Sequence, residues 1–362
     1  MPLTNIDGQR LGDSVFDKTA ARNLVINGAA TVAQRTTSST GNTTSGVFAV
    51  DRFRTSFNNL GTWTISQSTD SPDGFANSLK VDCTVADASP SAGDYAAIFY
   101  SFEGQDLQFL DFGNSGAKAT TLSFYVKSNK TGNASVELQQ RDNSDKQVTF
   151  QYTINSANTW ERKIINVPGD TAGVIANDTG VGMRIGWWLN SGSDYMGGAH
   201  RSTWTAEADT DRNVSNLGVG GSTSDEFLIT GVQCEVGNTA TPFEHRSFGQ
   251  ELNDCLRYYE KSYSYGVTPG TATENGSFSL RKSGQTSSIT DICPRFAPKS
   301  NVPTIVIYSP DTGASGKLSS NGSDVTASGT RIGKKGFSIS TNPSQGANLH
   351  LLAHYTADAE IS

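Results

Sequence analysis

Residues 227–248, FLITGVQCEVGNTATPFEHRSF, decide how this chain is organised. They begin with an apolar, β-branched run typical of a buried strand, which a polar Gly-Asn turn and Pro242 bring to an end. Directly afterwards the hydrophobic period becomes that of a helix, with apolar side chains at i, i+3, i+4 and i+7. Those side chains are Leu252, Cys255, Leu256 and Tyr259. The stretch therefore separates a strand-rich part of the chain from a second part that follows a helix.

The helix after this strand has a clear start signal. Ser247 followed by Gln250 forms a capping-box pattern, in which the serine hydroxyl accepts a hydrogen bond from the first turn of the helix. We expect a short connecting helix within residues 247–262. In the strand before it, alternation predicts one core-facing set: Leu228, Val232, Cys234 and Val236.

Upstream, stretches with the period of a strand recur from residue 23 onward. Residues 79–85, 148–154 and 181–189 alternate apolar and polar side chains, and turn-forming residues separate such stretches. Many short strands with turns at this spacing predict two packed antiparallel sheets. We therefore expect residues 23–246 to form a jelly-roll-like antiparallel β-sandwich.

The C-terminal part, residues 263–362, returns to short strands punctuated by prolines. It predicts a second, smaller β domain, so the fold class is all-β with a short helix between two domains. The one basic cluster, residues 331–335, is expected to be a solvated turn between strands. Residues 1–22 are too polar to form a core, and we expect an N-terminal arm or linker that docks on another protein.

Composition argues against several classes of protein. At 362 residues the chain is long for one core, and 35% hydrophobic residues are too many for a disordered chain. The net charge of −7 argues against a nucleic-acid binder. No apolar run is long enough to span a bilayer and no signal-peptide pattern is present, so we expect synthesis in a cytoplasm without membrane insertion. The cysteines fit no metal or redox spacing, and Cys83 and Cys234 are expected to be buried thiols.

Three groups of segments follow one another over residues 23–262. They are NLVING with VAQR and DRF (23–28, 32–35, 51–53), LSFYVKS with YTIN and TWE (122–128, 152–155, 159–161), and ITGVQCEVG with TPFEHR and CLRYYEK (229–237, 241–246, 255–261). In this order and spacing they resemble a family of tailed-bacteriophage structural proteins, mostly tail fibres or related virion appendages. Residues 302–309 and 354–360 also look like the C-terminal portion of such proteins.

This resemblance implies a sandwich similar to carbohydrate-binding modules, presented as a homotrimer on the virion. The function it favours is that of a tail fibre or receptor-binding appendage that contacts host surface glycan, with the N-terminal arm docked on other virion proteins. One alternative is a head decoration or fibre protein that makes only protein contacts. The alternative that ranks last is a glycan-degrading enzyme, because no repeating strand period of a parallel β-helix is visible.

Aromatic side chains supply the candidate contact residues. Trp187 shares its face of a strand with Ile185 and Leu189 and is expected in the core, so Trp188 points to the opposite face and is expected to be exposed. An exposed indole can stack on a sugar ring or fill a contact between subunits. Tyr195 and Trp204, in the long polar loop that follows, could extend the same surface.

Polar side chains supply no catalytic constellation. Pro242, Phe243, Glu244, His245 and Arg246 are expected to form a structural hinge at the exit of the sandwich, because no nucleophile motif accompanies the histidine.

We expect no enzyme activity, no metal and no cofactor from the sequence. The one qualification is structural calcium, to which Asp51 or Asp225 could contribute, as in similar sandwiches.

Overall fold

The computed structural model describes residues 22–142, 145–285, 289–292, 294–341 and 346–361. With 46% of residues in strands and 7% in helices, it confirms the all-β class. The N-terminal arm predicted for residues 1–22 lies outside the described residues except for Arg22. Among the described residues, no helix is long and apolar enough to cross a membrane.

Two antiparallel sheets contain the strands. The first sheet contains β1 (Ser38–Thr44), β2 (Val47–Val50), β3 (Phe53–Ser68), β4 (Ser78–Val85), β5 (Tyr95–Glu103), β6 (Thr120–Ser128), β7 (Gly132–Gln140), β8 (Lys146–Ile154), β9 (Glu161–Val167), β10 (Val181–Ser191), β11 (Thr205–Ala206) and β12 (Glu226–Val236). The second contains β13 (Tyr259–Lys261), β14 (Phe278–Gln285), β15 (Ile289–Ile292), β16 (Thr304–Tyr308), β17 (Lys317–Ser320), β18 (Ser323–Gly333), β19 (Gly336–Thr341) and β20 (Gly346–Asp358). Helix α1 (Phe248–Leu256) lies between them, and 3-10 helices occur at Gly104–Leu110, Ser193–Tyr195 and Asp209–Asp211.

Strand β3 is the corner that folds the first sheet into two layers. Its first half pairs with β5 and its second half pairs with β4. Between the halves, Asn59 and Gly61 have φ values of 51° and 67°. A Cβ on Gly61 would lie 2.5 Å from the carbonyl oxygen of Val85, so only glycine fits there. The layers are β11-β8-β7-β10-β5-β3 and β3-β4-β12-β6-β9.

The residues that face the core between the two layers confirm the alternation predicted for β10. In β12 the predicted set of core-facing residues is partly wrong. Phe227, Ile229, Val232 and Cys234 all belong to the main core, which requires a change of parity within the strand. A bulge between Thr230 and Gln233 provides it. The prediction that Leu228 faces this core is therefore wrong: Leu228 is buried, but on the opposite face of the layer.

The connecting helix is shorter than expected. Ser247 is its N-cap, and its hydroxyl accepts a hydrogen bond from Gln250 N at 3.3 Å. The helix ends at Leu256, however, and Tyr259–Lys261 pairs with the end of β20. Part of the segment expected to be a helical connection thus belongs to the second sheet, because its backbone finds a strand partner there.

The second sheet is arranged around β20. Strands β13 and β16 pair with the same residues near its C-terminal end, so they flank β20 on its two edges. Its core has its own hydrophobic cluster, which includes Ile307, Leu318, Ile339 and Leu351. The basic residues Lys334 and Lys335 form the turn between β18 and β19, as the sequence predicts.

Candidate functional site

The sandwich has two poles with different roles. Strand β10 runs from Val181, which is paired with Glu103, to Ser191, which is paired with Tyr95. At the rise per residue of a β-strand, the two ends of β10 are about 33 Å apart. Arg257 of the chain leading into the second sheet donates two hydrogen bonds of 2.6 Å to the Glu103 carboxylate. We call the end of the sandwich near Glu103 the junction pole and the end near Ser191 the distal pole.

Three loops converge at the distal pole. The loops comprise residues 86–94, 190–196 and 216–225. Backbone hydrogen bonds join them, including Asp87 N to Gly220 O at 2.9 Å and Gly192 N to Asp94 O at 2.8 Å. Between them lies a cleft of about 610 Å³, which we call the distal cleft. Its polar lining consists of Asp87, Lys130, Asn190, Ser191, Ser193, Asn216 and Ser222, with Met196 and Pro90 among the apolar members.

Side-chain amides fix the wall of the distal cleft. The Oδ1 atom of Asn190 accepts hydrogen bonds from Ser191 N at 2.9 Å and from Asn216 Nδ2 at 3.0 Å. Asn216 Oδ1 in turn accepts one from Gly218 N at 3.1 Å. A Cβ on Gly192 would lie 1.8 Å from the carbonyl oxygen of Ser91, so glycine is required where the loops approach most closely. The wall is therefore held in place by the chain itself.

Asp225 organises the turn beside the distal cleft. Its carboxylate accepts hydrogen bonds from Gly220 N at 3.0 Å and Ser222 N at 3.1 Å, and it forms an ion pair with Lys130 at 3.4 Å. At the junction pole, Asp51 is likewise occupied by donors from Gln34. No group of three or more histidine, cysteine, aspartate or glutamate side chains in the described part of the chain is arranged to hold a metal ion. The structural calcium suggested for Asp51 or Asp225 stays an untested prediction.

Trp188 does point away from the main core, but the prediction that it is exposed is wrong. Its side chain is 1% exposed. The rings of Tyr195 and Tyr95 lie 5.1 and 5.7 Å from the indole, and the Arg212 guanidinium lies 4.9 Å above it. Residues 192–216 cover this outer face of the sheet, so Trp188 is a packing residue.

The covering segment is held by a buried ion pair. Arg212 contacts both carboxylate oxygens of Glu137 at 3.0 and 3.1 Å, and Glu137 is completely buried. Burial disfavours the charge of Arg212, but the attraction of Glu137 outweighs it and raises the pKa of the guanidinium. Gly186 makes room for this arrangement, because a Cβ there would lie 2.6 Å from the Phe99 ring and 2.9 Å from Glu137 Oε1. Nothing in the local sequence pattern announces this contact.

The other two aromatic candidates lie far apart. Tyr195 is half-buried and directly precedes Met196, which lines the distal cleft. Trp204 donates a hydrogen bond from Nε1 to Pro168 O at 2.7 Å and packs edge-on against Phe112 at the junction pole. Tyr195 is therefore next in sequence to a residue of the cleft, although its own ring packs on Trp188, and Trp204 lies away from the cleft.

The proposed hinge makes structural contacts. The Glu244 carboxylate accepts a hydrogen bond from Asn23 N at 2.7 Å, and the Arg246 guanidinium donates to Asn23 O. The rings of Phe243 and His245 both pack against Phe75, at 5.0 and 5.1 Å. These residues anchor the N-terminal segment to the exit of the sandwich.

The first and third groups of segments that carry the phage resemblance meet at this junction. Asn27 N donates to the Glu251 carboxylate of α1 at 2.6 Å. Gln34 Nε2 donates to Tyr259 O at 3.0 Å, and the Arg35 guanidinium stacks 4.0 Å from the Tyr259 ring. Segments separated by more than 200 residues thus form one connection between the sandwich and the second sheet.

Comparisons with known proteins identify no family. No protein-family model and no curated protein matches the chain. Among solved structures, the enzymatically active domain of tailspike protein 4 of Bacteriophage CBA120 has 13% sequence identity and a TM-score of 0.32, covering 60% of this chain and 22% of that chain. The C-terminal family 22 carbohydrate-binding module of Clostridium thermocellum Xyn10B has 12% identity and a TM-score of 0.31, covering 53% and 89%.

The family 11 carbohydrate-binding module from Clostridium thermocellum, solved in complex with a β-1,3-1,4-mixed-linked tetrasaccharide, has 11% identity and a TM-score of 0.29, covering 57% and 99%. TM-scores of this size do not establish a common fold. The function must therefore be argued from the residues of this chain.

Proposed function

We propose that this protein is a bacteriophage tail fibre or receptor-binding appendage whose distal cleft contacts host surface glycan. The observation that carries the proposal is a preformed polar cleft at the pole opposite the junction. The N-terminal segment enters at the junction pole, where Asn23 is bound by Glu244. An arm that docks on the virion there leaves the distal pole facing outward. The sequence resemblance of residues 23–262 supports a virion role.

The chemistry of the cleft suits a sugar. Sugar hydroxyls act both as donors and as acceptors, and the cleft offers side chains of both kinds, including Asn190, Asn216 and Asp87. Its volume of about 610 Å³ is within the usual range of small-molecule sites. Because the amide network and Gly192 fix the wall, little conformational freedom is lost on binding.

A glycan array with a blocked cleft tests this proposal. Ser193 is exposed on the cleft wall and its hydroxyl makes no hydrogen bond to a described residue, so Ser193→Trp fills the cleft without removing a native contact. Ser115, exposed in a loop at the junction pole, offers the matched control Ser115→Trp. We expect array signal for the unmodified protein and Ser115→Trp but not for Ser193→Trp. Equal signal from both variants, or none from the unmodified protein, would exclude the distal cleft as a glycan site.

A specific observation favours protein contacts as a second candidate function. Phe109, Val174 and Val302 are 43%, 57% and 60% exposed. They lie on neighbouring segments, since Gln108 Nε2 donates to Ile175 O and Thr179 Oγ1 donates to Asn301 Oδ1. Burying these side chains against further copies would support the homotrimer implied by the resemblance.

Light scattering of the purified protein tests this self-association. A trimer that Val174→Asp dissociates would support copy-to-copy contact through this surface. A monomer at all concentrations would exclude it. Release of reducing ends from host polysaccharide, by contrast, would favour the glycan-degrading alternative.

A further inference from the structure

A basic cleft lies on the second sheet and shares no lining residue with the distal cleft. It has a volume of about 500 Å³ and is lined by Arg295, Arg331, Lys334 and Lys335. All four side chains are exposed, and none forms an ion pair with a described residue. Among the described residues, no acidic side chain lines the cleft. This is unusual in a chain whose net charge is −7.

Backbone hydrogen bonds hold the cleft in shape. The segment that contains Arg295 runs beside the β18–β19 turn, with Phe337 N donating to Pro294 O at 3.3 Å and Lys299 N donating to Lys334 O at 2.8 Å. Lys334 Nζ also donates to the carbonyl oxygen of Ser300 at 2.6 Å. The four cations are therefore carried by two segments fixed against each other.

Arg331 adopts a backbone conformation that few side chains favour. Its φ is 49°, in the left-handed region, and it lies in a bulge between Thr330 and Gly333 of the hairpin. A non-glycine residue in this region carries a conformational cost, and such costs concentrate at binding sites. The bulge changes the direction of the side chain relative to a regular strand. The strained residue in this hairpin is thus also one that lines the basic cleft.

The charge arrangement is unfavourable without a ligand. Four like charges around one concave surface repel each other, and the described lining residues include no carboxylate that offsets them. An anion in the cleft would relieve this repulsion and gain attraction to several cations at once. The lining includes the partly exposed Pro294, which presents apolar surface beside the charges. That combination matches an acidic sugar better than a bare ion, because a sugar ring has apolar C–H faces as well as its charge.

We propose that the basic cleft binds the carboxylate or phosphate groups of an acidic surface polysaccharide. It is a second site, separate from the distal cleft, and it takes the anionic class of ligand. A nucleic acid is disfavoured as the occupant, because four cations in one small cleft offer few phosphate contacts and the chain as a whole repels a polyanion.

Binding measurements with defined polymers test this site. The probes are polygalacturonate for carboxylate, poly(glycerol phosphate) for phosphate, dextran as the uncharged polymer and a short DNA duplex. The variant is Arg331→Gln with Lys335→Gln, which removes two charges whose side chains make no hydrogen bond to a described residue. The control, Lys118→Gln with Lys317→Gln, removes two charges elsewhere, one of which, Lys317, donates a hydrogen bond to Thr326 Oγ1 at 3.0 Å. Thermal melting confirms that both variants fold.

We expect at least one acidic polysaccharide to bind, dextran not to bind, and affinity to fall as salt is raised. The Arg331/Lys335 variant should lose about tenfold in affinity, since each exposed charge contact contributes modestly, while the control stays within about twofold. Preference for polygalacturonate or poly(glycerol phosphate) identifies the charged group. Equal binding by both variants, absence of binding to either acidic polymer, or tighter binding of DNA through the same residues would each overturn the proposal. With acidic chains too short to reach both clefts, Ser193→Trp should leave this binding unchanged, which separates failure of the basic cleft from failure of the distal cleft.

Discussion

Replacing Trp188 with alanine should destabilise the sandwich, because the indole is a packing residue beneath residues 192–216. The side chain is 1% exposed and contacts Tyr95, Tyr195 and the Arg212 guanidinium. Truncating a buried tryptophan to alanine costs about 3–5 kcal/mol. Loss of the cation–π contact with Arg212 accounts for about 1 kcal/mol of that cost. Trp188→Phe, which keeps an aromatic ring, should cost about 1–2 kcal/mol.

Urea-induced unfolding followed by circular dichroism measures these costs as shifts of the midpoint at constant slope. The matched control is Trp160→Ala, because Trp160 is only partly buried and donates from Nε1 to the exposed Asp70 carboxylate. We expect the control to cost about 1 kcal/mol or less. A cost below about 1 kcal/mol for Trp188→Ala, or loss of glycan binding at unchanged stability, would refute the packing role.

Three further changes probe the junction and the turns. Ser247→Ala removes the N-cap of α1 and should cost about 1 kcal/mol by thermal melting. Arg257→Gln removes the cation that is paired with the fully buried Glu103 carboxylate and should cost about 3 kcal/mol in urea unfolding. Burial would raise the pKa of Glu161, but donors including Lys163 lower it to about 2 from an ordinary 4.5. The ionised Glu161 therefore stabilises the fold by about 1 kcal/mol after solvent screening, fully above pH 4.5, and this contribution should be lost toward pH 2. The difference in unfolding free energy between the wild type and Glu161→Gln should close over that interval.

Each of these has an outcome that contradicts it. Unchanged melting of the Ser247 variant would mean that the helix is held by tertiary contacts alone. A small effect of Arg257→Gln would mean that water replaces the guanidinium at Glu103. A gap between wild type and Glu161→Gln that stays constant with pH would show that the carboxylate charge contributes nothing.

The sequence predicts side-chain direction well wherever a strand is regular. In β10, Met183, Ile185, Trp187 and Leu189 all reach the main core, as alternation requires. In β12 the same rule fails at Leu228, because a bulge adds one residue and reverses the alternation. Gly231, with a φ of 60°, makes the bulge, but a glycine inside a strand does not by itself reveal which way the register moves.

Exposure was harder to predict than direction. Alternation places Trp188 on the outer face correctly, yet the side chain is covered by a segment that returns over the sheet and places Arg212 on the indole. That contact depends on the ion pair between Arg212 and the buried Glu137, 75 residues earlier in the chain. A local pattern carries no information about such a pairing.

The distal cleft could not be predicted for a related reason. Apart from Lys130, its walls come from three loops rich in serine, glycine and asparagine, and such loops have no hydrophobic period. What defines the cleft is the approach of backbones, as at Gly192, whose Cβ position lies 1.8 Å from Ser91 O. The turn predicted for residues 331–335 is confirmed only at Lys334 and Lys335, because residues 331–333 belong to strand β18. The partner Arg295 becomes visible only in three dimensions.

The two proposed sites together affect how tightly an appendage of this kind would bind a surface polysaccharide. Each is small and exposed to solvent, so each alone should bind a sugar only weakly. A polysaccharide that reaches both would bind the second site as an intramolecular step, which raises the overall affinity without any new contact. The gain in affinity requires the two sites to keep a fixed separation. The junction provides this, because the ion pair of Arg257 with Glu103 and the hydrogen bond from Gln34 to Tyr259 O fix the sandwich against the second sheet. A length series of one acidic polysaccharide measures the effect: affinity that rises steeply beyond a threshold length supports two linked sites, and affinity that grows only in proportion to length does not.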